Sequence, residues 1–205
     1  GGGIVVDVSV HFGEILEINK EEHWVRVQPS VIRDDLNRFL ADYGLFFGPE
    51  TSTSSRCMIG GMVGNNSCGA RSVIYGSTRE HLLEVTAILA DGTKTVFKDL
   101  TPEEFLNKAN GLGVVGETEN QIYFDIREML SKEDNRAEIA REFPKKSIPR
   151  RNTGYAIDLL SDSQPFDENG DKFNFCKLIA GSEGTLCLIT EVKINCVPVL
   201  PKNVA

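Results

Sequence analysis

Alternating apolar and polar positions near the start of the chain predict a β-hairpin. Residues 15–19 (ILEIN) and 24–28 (WVRVQ) are β-rich runs, and a short polar connection joins them. An apolar run at residues 4–8 predicts a strand before this hairpin. Ser30 predicts the cap of a helix that ends at Gly44, because hydroxyl side chains favour helix starts and glycine favours helix ends.

The rest of the chain mixes strand and helix patterns. Residues 83–89 alternate, and Asp91-Gly92 turns the chain into residues 93–97, which predicts a second hairpin. Residues 101–142 have a helical pattern, and Thr101-Pro102 followed by two glutamates is typical of a helix start. The predicted helices in this region are 102–109, 117–130 and 132–143, and a last strand is predicted at 187–196.

Composition is that of a globular chain. The 205 residues include 40% hydrophobic and 25% charged side chains, enough for a buried core. A net charge of -8 argues against a nucleic-acid partner. No apolar run approaches the roughly 20 residues that span a bilayer, so we expect no transmembrane segment. The five cysteines show no C-x-x-C pair, which favours reduced thiols and a cytoplasmic protein.

Common catalytic patterns are missing or misplaced. Residues 111–116 match G-x-G-x-x-G, but they follow a predicted helix, whereas a dinucleotide-binding motif follows a buried strand. We interpret this segment as a connector between helices. His11, His23 and His81 are scattered along the chain, so we predict no metal site.

Two glycine-rich segments remain as candidates for a site. Residues 46–76 contain six glycines and two adjacent asparagines, and residues 181–185 (GSEGT) form the second segment. Glycine lets the backbone approach a ligand closely, and the neutral polar side chains supply hydrogen bonds. The alternative is that residues 46–76 are a surface loop rich in turn residues. Next to predicted strands and without a catalytic cluster, the two segments favour a bound cofactor that carries the chemistry.

The order of these segments resembles a known family. The chain is similar to the PCMH-type FAD-binding domain of the vanillyl-alcohol oxidase superfamily, and within it to FAD-linked oxidases of D-2-hydroxy acids such as D-lactate and glycolate dehydrogenases. The resemblance covers nearly the whole chain. The matching segments are 44–53 (GLFFGPETST), 59–66 (IGGMVGNN), 75–76 (YG), 89–92 (LADG), 151–155 (RNTGY) and 180–186 (AGSEGTL).

This resemblance implies an α+β fold, a mostly antiparallel sheet flanked by helices, as the second of two subdomains that hold FAD between them. It also implies the residues that would contact the cofactor. They are Pro49, Thr51, Ser52, Thr53, Ile59, Gly60, Gly61, Gly64, Asn65, Asn66, Cys68, Tyr75, Gly76, Gly181, Glu183, Gly184, Thr185 and Ile189.

The resemblance further implies that residues 1–205 are a fragment of an FAD-binding domain. A phosphate loop would precede the fragment, and a cap domain with the catalytic base would follow it, so no catalytic residue is assigned. Residues 101–142 would be a helical insertion, as in long members fused to an iron–sulfur module. Cys187 departs from the family, which usually has glycine there.

The implied reaction is oxidation of a 2-hydroxy acid, with hydride transfer from its C2 to flavin N5 and onward transfer to an unidentified electron acceptor. Two alternatives stay open. One is a flavoenzyme resembling UDP-N-acetylenolpyruvoylglucosamine reductase, which has the same fold but another substrate class. The other is a binding module without activity of its own.

Overall fold

A computed structural model describes residues 6–148, 151 and 154–199. Its centre is a five-stranded antiparallel sheet with the order β1-β2-β6-β4-β5. A separate two-stranded sheet pairs β3 with β7. The strands are β1 (Ile15–Asn19), β2 (Trp24–Val27), β3 (Leu45–Phe46), β4 (Leu82–Ile88), β5 (Lys94–Phe97), β6 (Leu188–Asn195) and β7 (Val197–Pro198).

Both predicted hairpins are confirmed. Ile18 pairs with Val25 in the first, and Val85 pairs with Phe97 in the second. Gly92 turns the second hairpin with a φ of +84°, a conformation that glycine adopts without steric cost. Strand β6 lies between the two hairpins and joins them into one sheet, because it pairs with β2 on one side and β4 on the other.

Helices and helical turns flank the sheet. The predicted helix start at Thr101 is confirmed, and it forms a capping box: the Thr101 side chain accepts a hydrogen bond from the Glu104 N–H, and the Glu104 carboxylate accepts one from the Thr101 N–H. The helices are α1 (Arg33–Ala41), α2 (Ile59–Asn65), α3 (Ser72–Tyr75), α4 (Thr78–His81), α5 (Pro102–Ala109), α6 (Glu117–Leu130), α7 (Glu133–Glu142), α8 (Ile157–Ser161) and α9 (Cys176–Ile179). The G-x-G-x-x-G segment connects α5 to α6, as predicted.

Two local predictions are wrong. Ser30 does not cap α1: the helix begins at Arg33 after Ile32, and the buried Ser30 hydroxyl has no hydrogen-bond partner. Ile32 instead forms a β-bridge with Met58, so tertiary pairing delays the helix start. The strand predicted at 4–8 is also not found, because residues 6–8 have no regular structure and residues 4–5 lie outside the described residues.

An aromatic cluster fastens the helical segment 101–142 to the sheet. Phe105 of α5 lies 4.5 Å from Phe173, measured between ring centroids. Tyr123 of α6 lies 4.9 Å from Phe175, which in turn contacts Phe97 of β5 at 5.5 Å. Edge and tilted contacts of this kind stabilise a core beyond the burial of apolar area. The helical segment therefore shares the core of the sheet, and its origin as an insertion stays a prediction.

A buried ion pair joins α5 to α6. The Glu119 side chain is fully buried, and its carboxylate accepts hydrogen bonds of 2.8 Å from Lys108 Nζ, Thr95 Oγ1 and the Val115 N–H. Burial alone would raise the pKa of Glu119, but these donors hold it below its ordinary value. A buried carboxylate that is fully hydrogen-bonded contributes to stability only while it stays ionised.

We predict that Glu119→Gln lowers the free energy of unfolding by about 3–5 kcal/mol, because it leaves the Lys108 ammonium without its partner. Urea unfolding measures the change. Glu128→Gln is the matched control on the same helix, since Glu128 pairs with Arg127 at a more exposed position, and we expect a change within about 0.5 kcal/mol.

The same carboxylate predicts a pH dependence. The folded-state pKa of Glu119 lies below its unfolded value of about 4.3, so its contribution is complete above that pH and is lost as the pH falls further. The stability difference between the wild type and Glu119→Gln should therefore shrink in acid. A constant difference down to the acid transition would contradict this account.

Candidate cofactor site

Helix α2 forms because its apolar residues have helical spacing. Ile59, Met62 and Val63 lie at positions i, i+3 and i+4, and all three are buried. The glycines of the segment occupy other positions around this short helix. No helix was predicted here, because glycine disfavours helix interiors and the three glycines hid the helical pattern of this segment.

The three glycines of α2 have different surroundings. A Cβ on Gly60 would lie 2.5 Å from the Cβ of Pro29, so no larger residue fits there. Gly61 faces open space. A Cβ on Gly64 would lie 3.6 Å from the main-chain nitrogen of Gly184. Gly60 thus seats the helix, Gly61 leaves its exposed side free of side chains, and the buried Gly64 lets the backbone of Gly184 approach.

The second glycine-rich segment packs on the end of α2. The Gly181 N–H donates to the Val63 carbonyl at 3.0 Å, and the Glu183 N–H donates to the Gly64 carbonyl at 2.8 Å. Asn65 Nδ2 also donates to Glu183 Oε1 at 3.0 Å. These bonds satisfy carbonyls in the last turn of the helix. The structure therefore brings the two candidate segments into direct contact.

Unusual backbone conformations concentrate in this turn. Gly181 and Gly184 have φ values of +92° and +72°, and the glutamate between them has a φ of +52°. A non-glycine residue in this region is strained by about 1–3 kcal/mol. A strained backbone conformation persists only where the surrounding structure holds it in place. Here the two main-chain hydrogen bonds to α2 hold the turn.

A groove of about 440 Å³ runs between α2 and this turn. Six of the predicted cofactor-binding residues line it, namely Gly60, Gly61, Gly64, Glu183, Gly184 and Ile189. Five other lining residues were not predicted as contacts: Val8, Pro29, Met58, Cys187 and Leu188. Of these, Cys187 had been noted as a departure from the family, and the others carry no motif that sequence could have shown.

The groove fits the ring system of a flavin. Its floor is glycine backbone, its apolar wall includes Leu188 and Ile189, and its polar side includes Glu183, whose carboxylate accepts a hydrogen bond from Asn65. Burial raises the pKa of the Cys187 thiol to about 11, so this wall is uncharged at neutral pH. A flat cofactor with an apolar edge and a polar edge matches this division.

Three predicted residues lie elsewhere, in a second cavity of about 220 Å³. Asn66, Cys68 and Gly76 line it, and we call it the Arg79 cavity after the buried arginine in its wall. Asn66 has a φ of +50° and ends α2, and its side chain accepts hydrogen bonds from Ser77 Oγ and the Arg79 N–H. None of the residues that line this cavity lines the groove.

The Pro49–Thr53 part of the prediction forms the loop before α2. Arg33 Nε donates to the Pro49 carbonyl at 3.1 Å, and the Thr51 and Thr53 hydroxyls lie 3.3 Å apart. Ser52 lies between them in the same turn. These residues line neither the groove nor the Arg79 cavity.

The remaining predicted residues line neither the groove nor the Arg79 cavity. Ile59 is fully buried, and Tyr75 packs edge-on against Phe46 with ring centroids 5.2 Å apart. Gly181 is buried beneath the turn. Thr185 bonds the Tyr155 hydroxyl at 2.5 Å and lines an apolar cavity under α6.

A model of the protein family described as "FAD binding domain" matches residues 1–97, which include α2 and the hairpins on either side of it. These residues belong to the FAD binding domain family. The sequence-based resemblance is thereby confirmed, and FAD is the cofactor of this family.

Relatives support the same assignment for the FAD-binding domain. D-2-hydroxyglutarate dehydrogenase of Escherichia coli (strain K12) is 39% identical over 202 residues, covering 98% of this chain and 18% of that protein. Mitochondrial D-lactate dehydrogenase [cytochrome] of Kluyveromyces lactis is 34% identical over 93 residues, covering 45% of this chain and 16% of that protein. The chain thus spans less than a fifth of the length of either relative.

A solved structure confirms the fold. An alkyldihydroxyacetonephosphate synthase superposes with a TM-score of 0.52 and 15% identity, covering 94% of this chain and 22% of that chain. The α+β fold predicted for a PCMH-type FAD-binding domain is therefore correct. Within the described residues, no helix has the length and apolar character that a membrane crossing requires.

Two glycines of α2 should differ in how their replacement by alanine changes the stability of the fold. We expect Gly60→Ala to lower the free energy of unfolding by about 1–3 kcal/mol, because its Cβ collides with Pro29. Gly61→Ala should raise it by up to about 1 kcal/mol, because Gly61 lies in a helix with open space beside it. Denaturant unfolding measures both changes.

Gly61→Leu fills the groove without disturbing the core. We expect it to fold and to weaken FAD binding at least about tenfold, equivalent to about 1.4 kcal/mol. Flavin fluorescence titration measures the affinity, with Gly61→Ala as the smaller control substitution. Unchanged FAD affinity in a folded Gly61→Leu variant would show that the groove does not hold the cofactor.

Proposed function

We propose that this chain is the FAD-binding part of a flavin-dependent dehydrogenase that oxidises a D-2-hydroxy acid. The observation that carries the proposal is the glycine-floored groove, built from the two segments that the family resemblance identifies. The relatives named above support the reaction class, since both are dehydrogenases of D-2-hydroxy acids by name. The chain spans a small part of each, so the activity belongs to the longer protein.

In this proposal the groove binds the flavin end of FAD. FAD supplies the hydride acceptor for the oxidation. Gly61, Gly64 and Gly184 let the backbone approach the cofactor, and the Asn65–Glu183 pair orients its polar edge. The apolar wall next to them excludes water, which strengthens each hydrogen bond within the groove.

The proton acceptor of the reaction lies outside this chain in our proposal. Among the described residues that line the groove, Glu183 and Cys187 are the ones with ionisable side chains. Asn65 already binds the Glu183 carboxylate, and the pKa of Cys187 is too high for a thiolate at neutral pH. Neither is suited to take the hydroxyl proton, so this chain contributes binding and orientation.

The extent of the similarity favours D-2-hydroxyglutarate among the candidate substrates. The relative named for this substrate matches nearly the whole chain, including the helical segment 101–142. The D-lactate dehydrogenase matches less than half of it. D-Lactate and glycolate are therefore the second choice, and transfer of electrons to an iron–sulfur module stays part of the proposal for the longer protein.

Anaerobic reduction of the flavin tests this proposal. We expect D-2-hydroxyglutarate to bleach the visible flavin absorbance of the full-length protein faster than D-lactate or glycolate, with L-2-hydroxyglutarate as the control of opposite configuration. Reduction by NADPH with turnover of UDP-N-acetylenolpyruvoylglucosamine would instead identify the alternative flavoenzyme. Failure of every 2-hydroxy acid to reduce a bound flavin would overturn the proposed substrate class.

A further inference from the structure

The Arg79 cavity contains a buried cation without an ion-pair partner. Arg79 is 4% exposed, and its Nη2 donates to the carbonyls of Ala180 at 2.5 Å and Gly154 at 3.2 Å. Its Nε is buried and has no hydrogen-bond partner. Among the described residues, no carboxylate lies within 4.0 Å of its guanidinium. Burial lowers the pKa of Arg79, and the nearby Glu80 carboxylate partly opposes this shift.

Two more donors on the same cavity lack acceptors. Ser72 is 8% exposed, and its buried hydroxyl oxygen has no partner. Arg151 pairs with Asp158, but its Nε is buried and has no partner. Buried polar groups are nearly always hydrogen-bonded in folded proteins. Three unpartnered groups that line one cavity indicate a ligand that accepts hydrogen bonds.

The charged residues around the cavity largely balance one another. Its cations are Arg79, Lys146 and Arg151, and its anions are Glu80 and Asp158. Asp158 pairs with Arg151, and Lys146 pairs with the carboxylate of Asp162 at 2.8 Å. The Glu80 carboxylate accepts from the main-chain N–H of Ser77. Glu80 attracts Arg79 from a distance but leaves its buried Nε without an acceptor, so the free donors, and not an excess of positive charge, indicate the ligand.

We propose that the Arg79 cavity is a binding site for the carboxylate of a small organic acid. A carboxylate carries one negative charge and offers two acceptor oxygens, which matches the donors of Arg79 and Ser72. The site is separate from the FAD groove, because the two share no lining residue. It also stands independently of the substrate proposed above, since it rests on this cavity alone.

Arg79 itself is a poor residue for the test. A Cβ on Gly181 would lie 2.8 Å from its Nη2, so Arg79 supports the turn beside the groove, and its replacement would disturb the fold. Ser72 is better, because its hydroxyl makes no bond in the unliganded protein and Ser72→Ala removes nothing that the fold uses. Ser30→Ala is the matched control: Ser30 is equally buried, its hydroxyl also lacks a partner, and it lies outside the cavity.

The experiment measures the unfolding temperature of the full-length protein as acetate is added. Acetate replaces chloride, so the ionic strength stays constant. A ligand that binds only the folded state raises this temperature in a saturable way. We expect saturable stabilisation in the wild type and in Ser30→Ala. We expect Ser72→Ala to weaken acetate binding about tenfold, since a hydrogen bond to a charged group is lost.

Titrations with saturating FAD and with inorganic phosphate complete the test. Stabilisation by acetate that persists with FAD bound supports a separate carboxylate site. Its loss with FAD bound would assign the cavity to the cofactor, and stronger stabilisation by phosphate would assign it to a phosphate group. Either result overturns the proposal, as would equal stabilisation of Ser72→Ala and Ser30→Ala or no stabilisation by acetate at all.

Discussion

The main-chain contact between helix α2 and the turn at residues 181–185 is the constraint on which the candidate site depends. Two hydrogen bonds make this contact, from the Gly181 N–H to the Val63 carbonyl and from the Glu183 N–H to the Gly64 carbonyl. The carbonyls in the last turn of a helix have no partners within the helix, so a distant segment can bind them. The contact holds only because both surfaces are nearly free of side chains, and the same lack of side chains opens the groove.

The sheet fixes the two sides of this contact relative to each other. The turn leads directly into β6, which is paired on both edges within the sheet. Helix α2 is tied to the end of β2, since the Gly60 N–H donates to the Pro29 carbonyl at 2.8 Å and the Ile59 N–H donates to the Val31 carbonyl at 2.9 Å. The groove is therefore held by rigid elements, as a cofactor that needs exact orientation requires.

Local patterns predicted the elements whose signals lie within a few residues. Helix α6 has the predicted bounds because its apolar spacing is regular, and the Asp91-Gly92 turn defines its hairpin. Helix α2 was missed because its glycines outweigh the spacing of its apolar residues. The cap at Ser30 failed because the Ile32–Met58 bridge depends on a segment distant in sequence.

The candidate site was predictable only as a set of segments. Their glycines and asparagines identify the family, but the division between the groove and the Arg79 cavity depends on how the chain folds back on itself. Ser72, Arg79 and Arg151 meet in one cavity although no sequence motif links them. For the same reason, sequence could not show that Cys68 and Gly76 lie with these residues, away from the groove.

Hydrogen–deuterium exchange with and without FAD shows directly whether the groove holds the cofactor, because it reports on main-chain amides whatever the activity of the protein. The account predicts slower exchange in residues 60–64 and 183–185 when FAD is bound. The exposed helix α7 should be unaffected and serves as the internal control. FAD binding that protects other segments and leaves both sides of the groove unchanged would contradict the account.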